Sequence, residues 1–167
     1  EPVGREAKNM AEPTDDPAVI NGGIGVEIRN SSNNIIGRNT AGEQNTISGN
    51  LVDGIRITGT PEVDSTENII QSNLIGLDAT GVAAIPNQTN GIFIGSATGN
   101  TIGGSEANQG NTISGNTING LVLSTANSNQ ILGNFIGTNR VGNAAVANSN
   151  NGLELDNAVG NSVIGNL

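Results

Sequence analysis

Two carboxylates, Glu154 and Asp156, stand two residues apart near the end of a 167-residue chain. On a strand this spacing puts both side chains on one face, with β-carbons about 7 Å apart. Glycoside hydrolysis uses two carboxyls about 5–9.5 Å apart, one of them with a raised pKa. No basic residue stands next to this pair. A second acidic group, Glu62, Asp64 and Glu67, lies on one stretch. Clustered carboxylates can hold Ca²⁺, which takes roughly six to eight oxygens. A solvated loop is the simpler account, since loop insertions cost little. Histidine is absent, which removes imidazole acid–base chemistry and imidazole metal sites. Lys8 is the only lysine. The expectation is therefore no catalytic residue, no cofactor and no metal, with Ca²⁺ at Glu62, Asp64 and Glu67 as the one candidate.

The elements that would position these groups repeat. Asn45-Thr46-Ile47-Ser48-Gly49-Asn50 recurs letter for letter as Asn111-Thr112-Ile113-Ser114-Gly115-Asn116, 66 residues on. Such self-similarity marks a stacked unit. Behind glycines 25, 54, 91, 120 and 152 come five apolar-x-apolar triplets: Val26-Glu27-Ile28, Ile55-Arg56-Ile57, Ile92-Phe93-Ile94, Leu121-Val122-Leu123 and Leu153-Glu154-Leu155. Period two predicts strands whose first and third residues face inward. Their middle residues, Glu27, Arg56, Phe93, Val122 and Glu154, then form an outward column. An ion pair between Glu27 and Arg56 on adjacent coils is expected there, worth at most about 1 kcal/mol if exposed.

Two further sets of short apolar elements follow each triplet, each led by asparagine. No segment keeps a 3.6-residue period for long between glycines, so helices are not expected. The pattern predicts an all-β parallel solenoid of about five coils with three short strands each. Aliphatic columns would stack about 4.8 Å apart. Asn34, Asn45, Asn50, Asn100, Asn111, Asn116, Asn134 and Asn161 are expected as structural turn residues. Asparagine tolerates the left-handed conformation, and stacked amides can bond in a ladder.

Composition narrows the partners. The net charge is −9 with six basic residues, so a nucleic-acid partner is not expected. No apolar run approaches the length of a membrane span. Cysteine is absent, so disulfides are too. Residues 1–23 lie outside the repeat and hold three of the five prolines. They read as a leader or cap, with a short helix over 5–12, and the repeats occupy 24–167. The last residues, Asn166-Leu167, stop inside a strand-turn pattern. A longer parent chain or end-to-end self-association is expected from that exposed end.

The run from Asn100-Thr101-Ile102-Gly103-Gly104 through Asn111–Asn116 and Gly120–Leu123 to Gly133-Asn134-Phe135-Ile136-Gly137-Thr138 and Gly142-Asn143-Ala144-Ala145 carries a resemblance. It resembles the right-handed parallel β-helix repeats of bacterial secreted and surface proteins, within the pectate-lyase-like superfamily. The resemblance implies a right-handed coil and an extracellular or cell-surface setting. It implies a structural or adhesive role, as a stalk or spacer with polysaccharide or another protein as partner. Because the superfamily includes lyases and hydrolases, the alternative is a fragment of a polysaccharide-acting enzyme.

Overall fold

A computed structural model describes residues 21–40 and 44–167; the leader and its expected helix over 5–12 lie outside the described residues. The described residues contain fourteen strands and no helix, so none is long and apolar enough to cross a membrane. Strands β1 (Val26–Arg29), β4 (Ile55–Thr58), β7 (Ile92–Gly95), β10 (Leu121–Ser124) and β13 (Leu153–Asp156) form the first sheet. Strands β2 (Ile35–Ile36), β5 (Ile69–Ile70), β8 (Thr101–Gly103), β11 (Gln130–Leu132) and β14 (Ser162–Ile164) form the second. Strands β3 (Thr46–Ile47), β6 (Leu74–Ile75), β9 (Thr112–Ile113) and β12 (Phe135–Ile136) form the third. All three sheets are parallel, and each strand pairs with the strand one coil away. The result is a β-solenoid with four complete turns, and β13 and β14 begin a fifth.

Register brings like residues over one another. The first sheet stacks Val26, Ile55, Ile92, Leu121 and Leu153 in one column. It stacks Ile28, Ile57, Ile94, Leu123 and Leu155 in another. The second sheet adds Ile36, Ile70, Ile102, Ile131 and Val163, and the third adds Ile47, Ile75, Ile113 and Ile136. The central members of these columns are fully buried. Each contributes about 1.5–3 kcal/mol by leaving water. β-Branched isoleucine suits this role because it packs well on a pleated surface. On β13 and β14, Leu155 is 47% exposed and Val163 44%.

The glycine before each triplet has a packing reason. A β-carbon on Gly91 would sit 2.7 Å from the Gly120 carbonyl oxygen and 2.7 Å from Asn116 Nδ2. The coils can therefore approach to bonding distance only where no side chain intervenes.

Three asparagine ladders run the length of the stack, one at each corner. The first joins Asn34, Asn68, Asn100, Asn129 and Asn161. The second joins Asn45, Asn73, Asn111, Asn134 and Asn166. The third joins Asn21, Asn50, Asn87, Asn116 and Asn148. Asn100 shows the pattern. Its Oδ1 accepts from Asn68 Nδ2 at 2.9 Å and from the Asn68 backbone N–H at 3.1 Å. Its Nδ2 donates forward to Asn129 Oδ1 and back to the Ser65 carbonyl at 2.9 Å. One side chain thus ties its own coil to the coils on both sides. No buried side-chain polar atom among the described residues lacks a partner.

Two sequence expectations change in detail. The ladder asparagines do not adopt the left-handed conformation; in the first ladder the residue before each of them does. Asn33, Glu67, Gly99, Ser128 and Gly160 precede the five members of the first ladder, all with φ between 57° and 68°. The left-handed residue makes the corner, and the asparagine after it spends its amide on bonding across coils. The stack also begins before residue 24. Asn21 pairs in parallel with Asn50 and opens the third ladder.

Replacing Asn100 by Asp keeps the acceptor and removes both side-chain donors, leaving a buried charge facing Asn129 Oδ1. We expect Asn100→Asp to lose about 2–4 kcal/mol. Urea denaturation followed by far-ultraviolet circular dichroism measures this.

Candidate functional site

The outward column of the first sheet is a real alignment. Glu27, Arg56, Phe93, Val122 and Glu154 lie in register on β1, β4, β7, β10 and β13. Exposure along it is uneven. Val122, between Phe93 and Glu154, retains only 7% of its surface, so it packs with its neighbours rather than projecting into solvent.

The expected Glu27–Arg56 pair does not form. Glu27 bonds Arg29 instead, two residues along the same face, at 2.5 Å. Arg56 turns to Asp53, three residues before it, with Nε at 2.8 Å and a terminal nitrogen at 2.5 Å from Oδ2. Asp53 is fully buried, whereas Glu27 is exposed, and the desolvated carboxylate has the greater need of a cation.

Asp53 was not among the candidates read from the sequence, where it shows only as the residue before Gly54. In the stack it holds the place of Asn90, Asn119 and Asn151, whose carbonyls accept the equivalent N–H bonds. Its Oδ1 accepts from the Thr89 hydroxyl at 2.5 Å, from Asn90 Nδ2 at 2.9 Å and from the Asn90 backbone N–H at 3.1 Å. With Arg56 on Oδ2, both carboxylate oxygens are engaged. The guanidinium in turn lies 5.6 Å from the centroid of the Phe93 ring. That ring covers Gly95, where a β-carbon would sit 2.7 Å from Phe93 Cε1. Asp53, Arg56, Phe93 and Gly95 thus form one pinned assembly across two coils. A carboxylate with its oxygens engaged and no access to solvent suits anchoring rather than proton transfer.

Glu154 and Asp156 do share the outer face of β13. Glu154 Oε2 accepts from Asn151 Nδ2 at 3.1 Å, and Asp156 Oδ2 accepts from the Ser124 hydroxyl at 3.2 Å. The loop carboxylates separate. Asp64 accepts from the Thr98 backbone N–H at 3.2 Å and from the Thr98 hydroxyl, which ties the insertion to the next coil. Glu62 and Glu67 are exposed. Among the described residues no three acidic side chains gather as a metal would require.

A repeated side hairpin is the remaining feature. Leu77 pairs with Ala84 and Thr138 with Ala145, both antiparallel. Asp78 organises the first hairpin: its carboxylate accepts from the Thr80 hydroxyl at 2.7 Å and from the backbone N–H groups of Val82 and Ala83. Partial burial works to raise its pKa, but these hydrogen bonds outweigh it and hold the carboxyl below its ordinary value. Asn139 fills the same place in the second hairpin, with Oδ1 accepting from the Asn143 N–H at 3.1 Å.

The pinned assembly gives a double-mutant test. Arg56→Ala strands a buried carboxylate and should lose about 1–3 kcal/mol, moderated because the arginine is partly exposed. Adding Asp53→Asn, the residue type at the three equivalent positions Asn90, Asn119 and Asn151, should recover most of that loss. Thermal or urea unfolding of the two single variants and the double variant measures the coupling.

Comparison with protein families, with curated proteins and with solved structures finds no match for this chain.

Proposed function

We propose that this chain is an extracellular structural and adhesive module of the right-handed β-helix kind. It acts as a rigid spacer whose side loops meet a polysaccharide or a protein partner. The observation that supports this best is how the buried and anchored groups are used. The interior is filled by aliphatic columns and amide ladders, and Asp53, Asp64 and Asp78 each tie backbone or neighbouring coils together. Asp53 is committed to holding the stack, and Asp64 and Asp78 to holding the side loop and the first hairpin in place. Coils stacked in register, with side loops that also bridge coils two apart, make a stiff rod with a long lateral surface, the geometry that repeat proteins use for binding.

A glycan array that also measures product separates the module from an enzyme. The module binds one glycan class and leaves it intact. Appearance of new reducing ends or unsaturated sugars during incubation would overturn the proposal in favour of a polysaccharide-acting enzyme.

A further inference from the structure

Packing demands glycine at 91 and 120, where the coils approach, and in both places asparagine stands before it. An asparagine followed by glycine is open to attack by its own main chain. The glycine nitrogen gives up its proton and adds to Cγ. The Cγ–Nδ2 bond breaks, the proton ends on the departing ammonia, and a five-membered succinimide remains. Water then opens the ring at either carbonyl, its hydroxyl going to carbon and its proton to nitrogen. The product is aspartate, or isoaspartate with the main chain routed through the side chain. Glycine has no β-carbon to hinder ring closure, and asparagine is among the thermolabile residues.

The closed stack blocks this reaction at both reacting groups. The Gly91 N–H donates to the Asn119 carbonyl at 3.0 Å and the Gly120 N–H to the Asn151 carbonyl at 2.9 Å, each in the next coil. The side chains are held as well. Asn90 Nδ2 donates to Asp53 Oδ1 at 2.9 Å, and Asn90 Oδ1 accepts from Asn119 Nδ2 at 3.1 Å. Asn119 Oδ1 accepts from Asn150 Nδ2 and from the Asn151 backbone N–H, both at 3.0 Å. Gly91, Asn119 and Gly120 are buried, away from the hydroxide that would take the proton.

The same column shows what the product would meet. Asp53, at the equivalent place in the coil before Asn90, is a carboxylate that the stack already accommodates. It does so because Arg56 reaches Oδ2. In register with Arg56, the following coils hold Phe93 and Val122, and neither is a cation. A carboxylate at 90 would turn against Asp53 Oδ1, and one at 119 against Asn90 Oδ1, acceptor facing acceptor in each case. Isoaspartate would add an atom to the main chain just before β7 or β10 and spoil the register of that strand. We propose that Asn90–Gly91 and Asn119–Gly120 are latent self-modification sites, silent in the closed stack and reactive once these coils open. Conversion then makes the opening permanent, because the product does not reseat against Asp53 or Asn90. The working life of the rod is thus set by how often this corner opens.

Peptide mass mapping of the whole chain tests both halves of this proposal. Samples are held in mildly alkaline buffer with and without guanidinium chloride, and conversion at Asn90 and Asn119 is followed over time. Both sites should convert in the unfolded chain, and about a hundredfold or more slowly in the folded one. Chains partly converted while unfolded are then returned to native buffer and separated by size-exclusion chromatography. The compact fraction should be depleted about tenfold in chains converted at Asn90 or Asn119. Equal conversion rates with and without denaturant would overturn the protection by the stack. Converted chains that refold as completely as unconverted ones would overturn the permanence of the opening.

Discussion

The asparagine amide is the interaction on which the stack depends. It is short, planar and neutral, and it carries an acceptor and two donors. At each corner one such group accepts from the coil on one side and donates to coils on both sides, as Asn100 does with Asn68, Asn129 and Ser65. Aspartate could accept but not donate, and would bring a charge into the interior. Glutamine is one methylene longer and would place its amide out of line with the rungs. The corners of a narrow solenoid bury backbone polar groups that would otherwise lack partners, and the ladders satisfy them. Aliphatic columns supply the burial, but the ladders fix the coil spacing at which those columns meet.

That constraint leaves the sides of the rod free to vary. Length can vary between coils because a loop that leaves and returns at a ladder corner does not disturb the register. The steps of 29, 37, 29 and 32 residues between successive glycines all fit the same three-strand turn. The loop after β4, residues 59–67, is tied back through Asp64 and Thr98, and the two hairpins stack through Arg140 and Gly81. Side features therefore inherit the order of the core and bridge its coils from outside.

Much of this was legible in the sequence, for a physical reason. The glycine-led triplets and the Asn-led isoleucines repeat because each coil must present the same shape to the next. The parallel stack, the inward columns and eight ladder members follow from that repeat. Other parts were not legible. Asn87 and Asn148 belong to the third ladder but follow the hairpins, so the Ile-Ser-Gly-Asn spacing that marks Asn50 and Asn116 is lost. Asp53 reads as an ordinary substitution within the repeat, and only register shows that it is buried against Thr89 and Asn90 and paired with Arg56. A cavity outside the third sheet joins residues from four coils, 102 positions from Arg38 to Arg140, and no local pattern announces such a meeting.

The ladders make a demand on the asparagine side chains that can be read directly. Hydrogen exchange of side-chain amides, followed by nuclear magnetic resonance on the whole chain, reports whether those protons are held. The account predicts that Nδ2 protons of Asn68, Asn100 and Asn129 exchange far more slowly than those of an exposed asparagine such as Asn157. Exchange of all four at the rate of the free amino acid would contradict it.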